Sequence, residues 1–222
     1  MSRTLLREAP LRKVVIDTLL ITPSGALSPG MLSTAAIVVG LYLGVAGGLL
    51  VALGHMLFEL PYVAALVYWA EKLEEKLQRY EKPLALLTLG MAIYFSTGLV
   101  LTAIDILSKG SVPLGSLSLG SSPAGAVLAG VVFTGGNPYF LAWWVTIGLP
   151  LIRGAARTGA TGFTAMYTAH VWIDYVWLAF LAGLGGLLSR IATIYAWLLI
   201  ALAGMLLYFA ASMTIHVYRE KR

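Results

Sequence analysis

The chain of 222 residues contains no cysteine and little charge. Without cysteine it can have no disulfide framework, no thiol redox relay and no metal site built on thiolates. Charged residues make up only 11% of the chain, whereas they make up about a quarter of a soluble globular protein. The composition is therefore not that of a soluble domain.

Apolar sequence is what the chain has in abundance. Apolar residues account for 59% of it, and the mean hydropathy is +0.86. They are grouped in blocks of about 20 residues or more, which is the length of a helix that crosses roughly 30 Å of hydrocarbon. No segments of alternating hydrophobicity typical of a membrane barrel interrupt these blocks. The sequence predicts an all-α integral membrane protein.

Six membrane-spanning helices are predicted from the apolar blocks. They cover, approximately, residues 14–39, 45–70, 84–107, 124–152, 162–188 and 192–217. Lysine and arginine are concentrated on one side of these spans, and only Lys109 and Arg190 fall on the other. The positive-inside rule then predicts a multi-pass protein of the cell membrane with both termini in the cytoplasm. Because the net charge of +5 resides at helix ends, it implies contact with the lipid bilayer and no nucleic-acid partner.

The second half of the chain repeats the first. His55 and Glu59 return as His170 and Asp174, at a shift of 170 − 55 = 115 residues. Each half holds three spans, an odd number, so the second copy is expected to cross the membrane in the opposite sense, as an inverted repeat. The predicted units are a first three-helix repeat over 1–107, an outer linker loop over 108–123 and a second, inverted repeat over 124–222.

Prolines lie at equivalent places inside the first and fourth spans. Pro29 and Gly30 lie in the first, and Asn137 and Pro138 lie in the fourth. Proline removes a backbone donor and clashes with the carbonyl four residues before it, so both helices are predicted to break. A break at membrane depth frees backbone groups, which are tolerated only where they line a cavity or find partners.

The second span of each repeat carries a histidine and an acid four residues apart, so the two side chains share one helix face. An ionised carboxylate at the centre of a span costs at least about 2.5 kcal/mol, and such groups mark ion or substrate pathways. Histidine titrates near neutral pH, which makes proton coupling chemically available. The predicted substrate and proton pathway comprises Pro29, Gly30, His55, Glu59, Asn137, Pro138, His170 and Asp174.

Other roles stay open for the two histidines and two acids. Each histidine could simply bond its own acid and stiffen the bundle. The four side chains His55, Glu59, His170 and Asp174 could instead be ligands of a divalent cation such as Zn, Ni or Co, which would then be the cargo. Neither His-Glu-x-x-His nor Gly-x-Ser-x-Gly occurs, so no enzymatic activity and no cofactor is predicted.

Residues near these motifs are given lesser roles. Thr22 supplies a hydroxyl beside the first break. Trp143 and Trp144 could line a pocket, but helix packing or an interfacial belt is the favoured interpretation of both. Gly40 and Gly48 belong to a series of small residues where the first two spans meet, which predicts a close approach of those spans.

These motifs resemble those of the lysine exporter (LysE/RhtB) family of amino-acid exporters. That family carries Pro-Gly-Pro in its first span and an acid thirty positions later; here Pro29-Gly30 precedes Glu59 by that distance. Its second half opens with a glycine ahead of an Asn-Pro pair, and Gly130 stands eight residues before Pro138. The chain departs from the pattern at Met31, in having Glu rather than Asp at 59, and in having a histidine at 55.

The resemblance implies a secondary active transporter that exports a small zwitterionic solute, above all an amino acid, in exchange for protons. It also implies no cofactor, and the sequence leaves open whether the chain forms a homo-oligomer. By resemblance, the residues of the transport pathway are Pro29, Gly30, Glu59, Asn137, Pro138 and Asp174.

Overall fold

The computed structural model describes residues 11–27, 30–110, 121–188 and 191–219, and the regular structure in these ranges is helical. This confirms the all-α prediction. The helices are α1 (Leu11–Ala26), α2 (Met31–Tyr68), α3 (Ala70–Lys109), α4 (Pro123–Gly135), α5 (Pro138–Val145), α6 (Leu149–Leu188) and α7 (Ala192–Arg219).

Four of these helices contain segments long and apolar enough to cross a membrane. The segments are Met31–Tyr68 of α2, Ala85–Lys109 of α3, Leu149–Leu187 of α6 and Ala192–Ser212 of α7. The α4/α5 pair, which is bent by 58° at its break, adds a fifth if the pair is one span. The chain is thus an integral membrane protein with four to five candidate spans among the described residues. The count of six and the division into two repeats stay predictions.

The first predicted break coincides with the gap between α1 and α2. Helix α1 ends at Ala26, and α2 begins at Met31. Gly30 precedes α2 in an extended conformation, with φ −161° and ψ −166°, and no side chain caps the first turn. Pro29 lies outside the described residues.

The second predicted break coincides with the gap between α4 and α5. Helix α4 ends at Gly135, and α5 begins at Pro138. Asn137 caps the new helix, because its Oδ1 accepts a hydrogen bond of 3.0 Å from the backbone N–H of Tyr139. Asparagine is among the best N-cap residues, and proline is favoured at the first helical position. The Asn-Pro pair therefore restarts the helix directly after interrupting it.

Helices α2 and α6 each contain one residue with non-helical backbone angles. Gly44 has φ 58° and ψ −146°, and Gly159 has φ 65° and ψ −153°. This region of backbone space is essentially confined to glycine. A Cβ added at either position would meet no atom within 4 Å, so the backbone conformation, rather than packing, requires glycine. Each long helix bends at this point into two segments.

Helices α2 and α6 pack against each other with backbone in contact. A Cβ at Gly40 would overlap the carbonyl of Ala182, and one at Gly48 would overlap the carbonyl of Leu178. From their spacing, these glycines were predicted to allow the first two spans to approach each other, whereas they contact α6. A glycine series marks a closely packed face but does not encode which helix covers it.

Helix α4 packs on α2 through a second pair of glycines. A Cβ at Gly54 would overlap the carbonyl of Val127, and one at Gly130 would overlap the carbonyl of Val51. The contact is reciprocal, since each glycine admits the backbone of the other helix. Helix α2 is thereby held between α6 and α4, and residues 55–59 lie directly beyond this contact along the chain.

Candidate transport site

Four ionisable side chains of α2 and α6 meet in the interior of the protein. His55 and Glu59 come from α2, and His170 and Asp174 come from α6; each is 5% exposed or less. Spacing of four residues on a helix places each pair on one face, and the backbone contact of α2 with α6 brings the two faces together. We refer to these four side chains as the His–acid cluster.

Within the His–acid cluster, each imidazole faces both carboxylates. Nε2 of His55 lies 3.3 Å from Oε1 of Glu59 and 3.8 Å from Oδ2 of Asp174. Nε2 of His170 lies 3.1 Å from Oε1 of Glu59, as a hydrogen bond, and 3.2 Å from Oδ2 of Asp174. The shorter of the two contacts between the helices, at 3.1 Å, is thus as short as those within them, and the four groups form one electrostatic unit.

The other nitrogen of each imidazole contacts a threonine beside a break. Oγ1 of Thr22, on α1, lies 2.9 Å from Nδ1 of His170, and Oγ1 of Thr134, on α4, lies 2.9 Å from Nδ1 of His55. Thr134 donates its own hydroxyl hydrogen to the carbonyl of Gly130, at 2.6 Å. Its oxygen therefore accepts from Nδ1–H of His55, which fixes the orientation of that ring with Nε2 toward the acids.

Two aromatic side chains hold the carboxylate of Glu59. Trp144 donates its Nε1–H to Oε1 at 3.1 Å, and Tyr167 donates its hydroxyl to Oε2 at 3.3 Å. The neighbouring Trp143 instead donates to Oγ of Ser24, at 3.2 Å. From the sequence, helix packing or an interfacial belt was favoured for both tryptophans over the lining of a pocket, and no motif singled out Tyr167. The position of Trp144 in the short helix after the second break is the sequence signal that could have identified it.

The His–acid cluster lines a cavity of about 60 Å³ together with residues from both breaks. Gly30 lines it from the first break and Asn137 from the second, and a Cβ added at Gly30 would lie 3.5 Å from Nδ2 of Asn137. At roughly 10–15 Å³ for each water molecule, this space holds a few waters or one ion. Pockets for drug-sized ligands reach about 300–1,000 Å³, so the cavity has to widen before it can accept a solute of that size.

Most of the residues predicted for the pathway lie around this one cavity. Those that line it are Gly30, His55, Glu59, Asn137, His170 and Asp174. Pro29 lies outside the described residues. Pro138 begins α5, and its side chain lies outside the described part of the structure.

The composition of the His–acid cluster sets what it can bind. With neutral imidazoles and ionised carboxylates it carries two negative charges away from water, which is costly unless they are compensated. Two positive charges restore neutrality, and they can arrive as protons, as part of an organic cation, or as a divalent metal ion. The site is therefore built to take up and release positive charge.

Comparison with known proteins identifies the family of the chain. A family model described as "LysE type translocator" matches residues 23–216, which include the whole His–acid cluster and both breaks. No curated protein and no solved structure matches the chain. Members of the matched family are transporters that export small solutes such as amino acids. The chain therefore belongs to the LysE type translocator family and is a multi-pass membrane transporter, not an enzyme.

Proposed function

We propose that the chain exports a small zwitterionic solute, above all an amino acid, from the cytoplasm in exchange for protons. The observation that carries this proposal is that the His–acid cluster and both helix breaks line a single cavity. Secondary transporters of this kind bind the charged ends of a solute at the termini of interrupted helices.

The first break offers helix ends of both signs to such a solute. Helix α2 begins after Gly30 without a side-chain cap, and Ser33 of its first turn lines the cavity. This positive end of the helix dipole suits the solute's carboxylate. Gly25 and Ala26, at the negative end of α1, also line the cavity and suit its ammonium group.

Coupling to protons follows from competition for the same carboxylates. The ammonium group of the solute and incoming protons both neutralise Glu59 and Asp174. The solute therefore has to dissociate before protons can bind, and the protons have to dissociate before the next solute molecule can bind. The two species therefore cross the membrane in opposite directions. The cavity of about 60 Å³ is small for an organic solute, so binding requires movement of the surrounding helices.

Two inverted three-helix repeats, over 1–107 and 124–222, provide that movement when one rocks against the other. The glycines with positive φ inside α2 and α6 support this division, because 159 − 44 = 115 is also the shift from His55 to His170. In this arrangement each repeat has three spans, both termini are cytoplasmic, and the linker over 108–123 is outside.

The proposal predicts that Glu59→Gln and Asp174→Asn abolish proton-coupled flux. Each variant keeps the size of the side chain and removes its charge. Loss of a charged interaction of about 1.5–3 kcal/mol corresponds to roughly a 10- to 100-fold weaker hold on a cationic group. The measurement is counterflow of an amino-acid panel in proteoliposomes that contain a pH-sensitive dye.

Asp17→Asn and Asp105→Asn are the matched controls for this assay. Asp17 pairs with Lys13 at 2.6 Å, and Asp105 pairs with Lys109 at 2.8 Å, in both cases at partly exposed positions away from the cavity. Both variants are expected to transport at the wild-type rate. Wild-type flux in Glu59→Gln or Asp174→Asn would overturn the proposed function.

A further inference from the structure

We propose that the His–acid cluster is a binding site for one divalent transition-metal ion, with Zn²⁺, Co²⁺ or Ni²⁺ as the favoured class. This goes beyond export of an organic solute. The candidate ligand atoms are Nε2 of both imidazoles and one oxygen of each carboxylate: His55, His170, Glu59 and Asp174.

The spacing of these atoms is close to that of a tetrahedral metal site. Zinc binds nitrogen and oxygen ligands at about 2.0–2.2 Å, which places neighbouring ligand atoms about 3.3–3.6 Å apart on the edges of a tetrahedron. The four nitrogen–oxygen distances in the cluster are 3.3, 3.8, 3.1 and 3.2 Å. His55, Glu59 and Asp174 offer ligand atoms that all lie within 4.8 Å of one another.

Thr134 orients the imidazole of His55 as in a metal site. Metal-binding histidines almost always donate their second N–H to an oxygen, which fixes the ring and its tautomer. Nδ1–H of His55 donates to Thr134, whose hydroxyl hydrogen is already given to the carbonyl of Gly130. Neutral His55 therefore points the lone pair of Nε2 at two carboxylate oxygens. A lone pair facing oxygen is repulsive, and a cation between them removes that repulsion.

The side chain of Asp174 is an independent indication that this is a ligand-binding site. Its side chain is 5% exposed, and its buried Oδ2 accepts no hydrogen bond from the part of the chain that the structure describes. Buried polar atoms are normally satisfied. The same oxygen lies 3.2 Å from Nε2 of His170 and 3.8 Å from Nε2 of His55, which is where a shared ion would sit.

The ligand chemistry selects the class of ion. Imidazole suits Zn, Cu, Fe and Ni, whereas Mg and Ca prefer oxygen atoms alone. Two carboxylates also balance the two charges of the ion, so the occupied cluster is neutral. The cavity of about 60 Å³ admits an ion without the widening that an organic solute needs.

The test is a metal titration of the purified full-length chain after treatment with a chelator. Calorimetry follows Zn²⁺, and visible absorption follows Co²⁺, whose tetrahedral complexes absorb much more strongly than octahedral ones. The expected result is one ion per chain, strong Co²⁺ absorption and no competition by Mg²⁺. Binding is expected to be lost in His55→Gln, His170→Gln and Asp174→Asn.

Variants outside the ligand set distinguish this site from adventitious binding. Thr134→Val removes the oxygen that orients His55 and is expected to weaken binding about 10- to 100-fold, the usual effect of such outer partners. His216→Ala, which removes the remaining histidine of the chain, and Asp105→Asn are expected to bind as wild type. Equal binding by wild type, Thr134→Val and Asp174→Asn, or no binding by wild type, would overturn the proposal.

The titration needs no gradient and no amino acid, so its result is independent of the export assay. A chain that moves amino acids but binds no ion would contradict this inference alone. A chain that binds one ion at the cluster but moves no amino acid would contradict the proposed function alone.

Discussion

Glu59 is the side chain on which most of the site's contacts converge. It is 1% exposed, and its two oxygens contact both imidazoles and two aromatic donors, Trp144 and Tyr167. A carboxylate with this many partners is held in one orientation, because three of them contact Oε1 and Tyr167 contacts Oε2. The sequence predicted the acid and its own histidine, since their spacing is local. It could not predict the aromatic partners, which lie 85 and 108 residues away.

Trp144→Phe tests how much the hydrogen bond from Trp144 to Glu59 contributes to stability. It removes the donor to Oε1 of Glu59 while keeping an aromatic ring, and the lost hydrogen bond to a charged group is expected to cost about 1.5–3 kcal/mol of unfolding free energy. The neighbouring Trp143→Phe removes a bond to the hydroxyl of Ser24, which should cost about 0.6 kcal/mol, the average for a hydrogen bond between membrane helices. Unfolding in mixed micelles measures both. Equal losses would contradict a special role for Trp144.

At the scale of helices, the position of the site depends on breaks and bends in specific places. The breaks at 27–30 and 136–137 were predictable, because proline acts on its own helix. The bends at Gly44 and Gly159 were not, since many glycines are present and only two of them in α2 and α6 have positive φ. The bend at Gly44 separates the segment beside the first break from the segment that carries His55 and Glu59, and the bend at Gly159 precedes the segment that carries His170 and Asp174.

Gly44→Ala and Gly159→Ala are expected to destabilise the protein by about 1–3 kcal/mol each, because alanine is strained at these backbone angles. Neither added methyl group meets an atom within 4 Å, so packing does not contribute to the loss. The control is Gly90→Ala, inside α3, where the added Cβ also meets open space and the backbone is helical. That control should be neutral or slightly stabilising in thermal unfolding. If Gly44→Ala and Gly159→Ala leave the thermal stability unchanged, the claim that alanine is strained at these two positions is contradicted.

For the whole molecule, the charge distribution predicts how the chain is oriented in the membrane. The absence of native cysteine allows a clean test with single-cysteine variants. In intact cells, an impermeant maleimide is expected to label Lys109→Cys, on the predicted outer side, and to reach Arg79→Cys only after permeabilisation. The reverse pattern would place the termini outside, and labelling of both in intact cells would contradict the predicted spans.

Membrane insertion, the helix breaks and the shared face of each histidine–acid pair follow from the sequence alone. Hydropathy sums over a segment, proline acts within one turn, and spacing of four residues is a property of one helix. The tertiary structure alone decides that the Gly40 face packs on α6, that each histidine reaches the acid of the other helix, and that Trp144 supports Glu59. Such contacts depend on the register of packed helices, and no local pattern encodes that register.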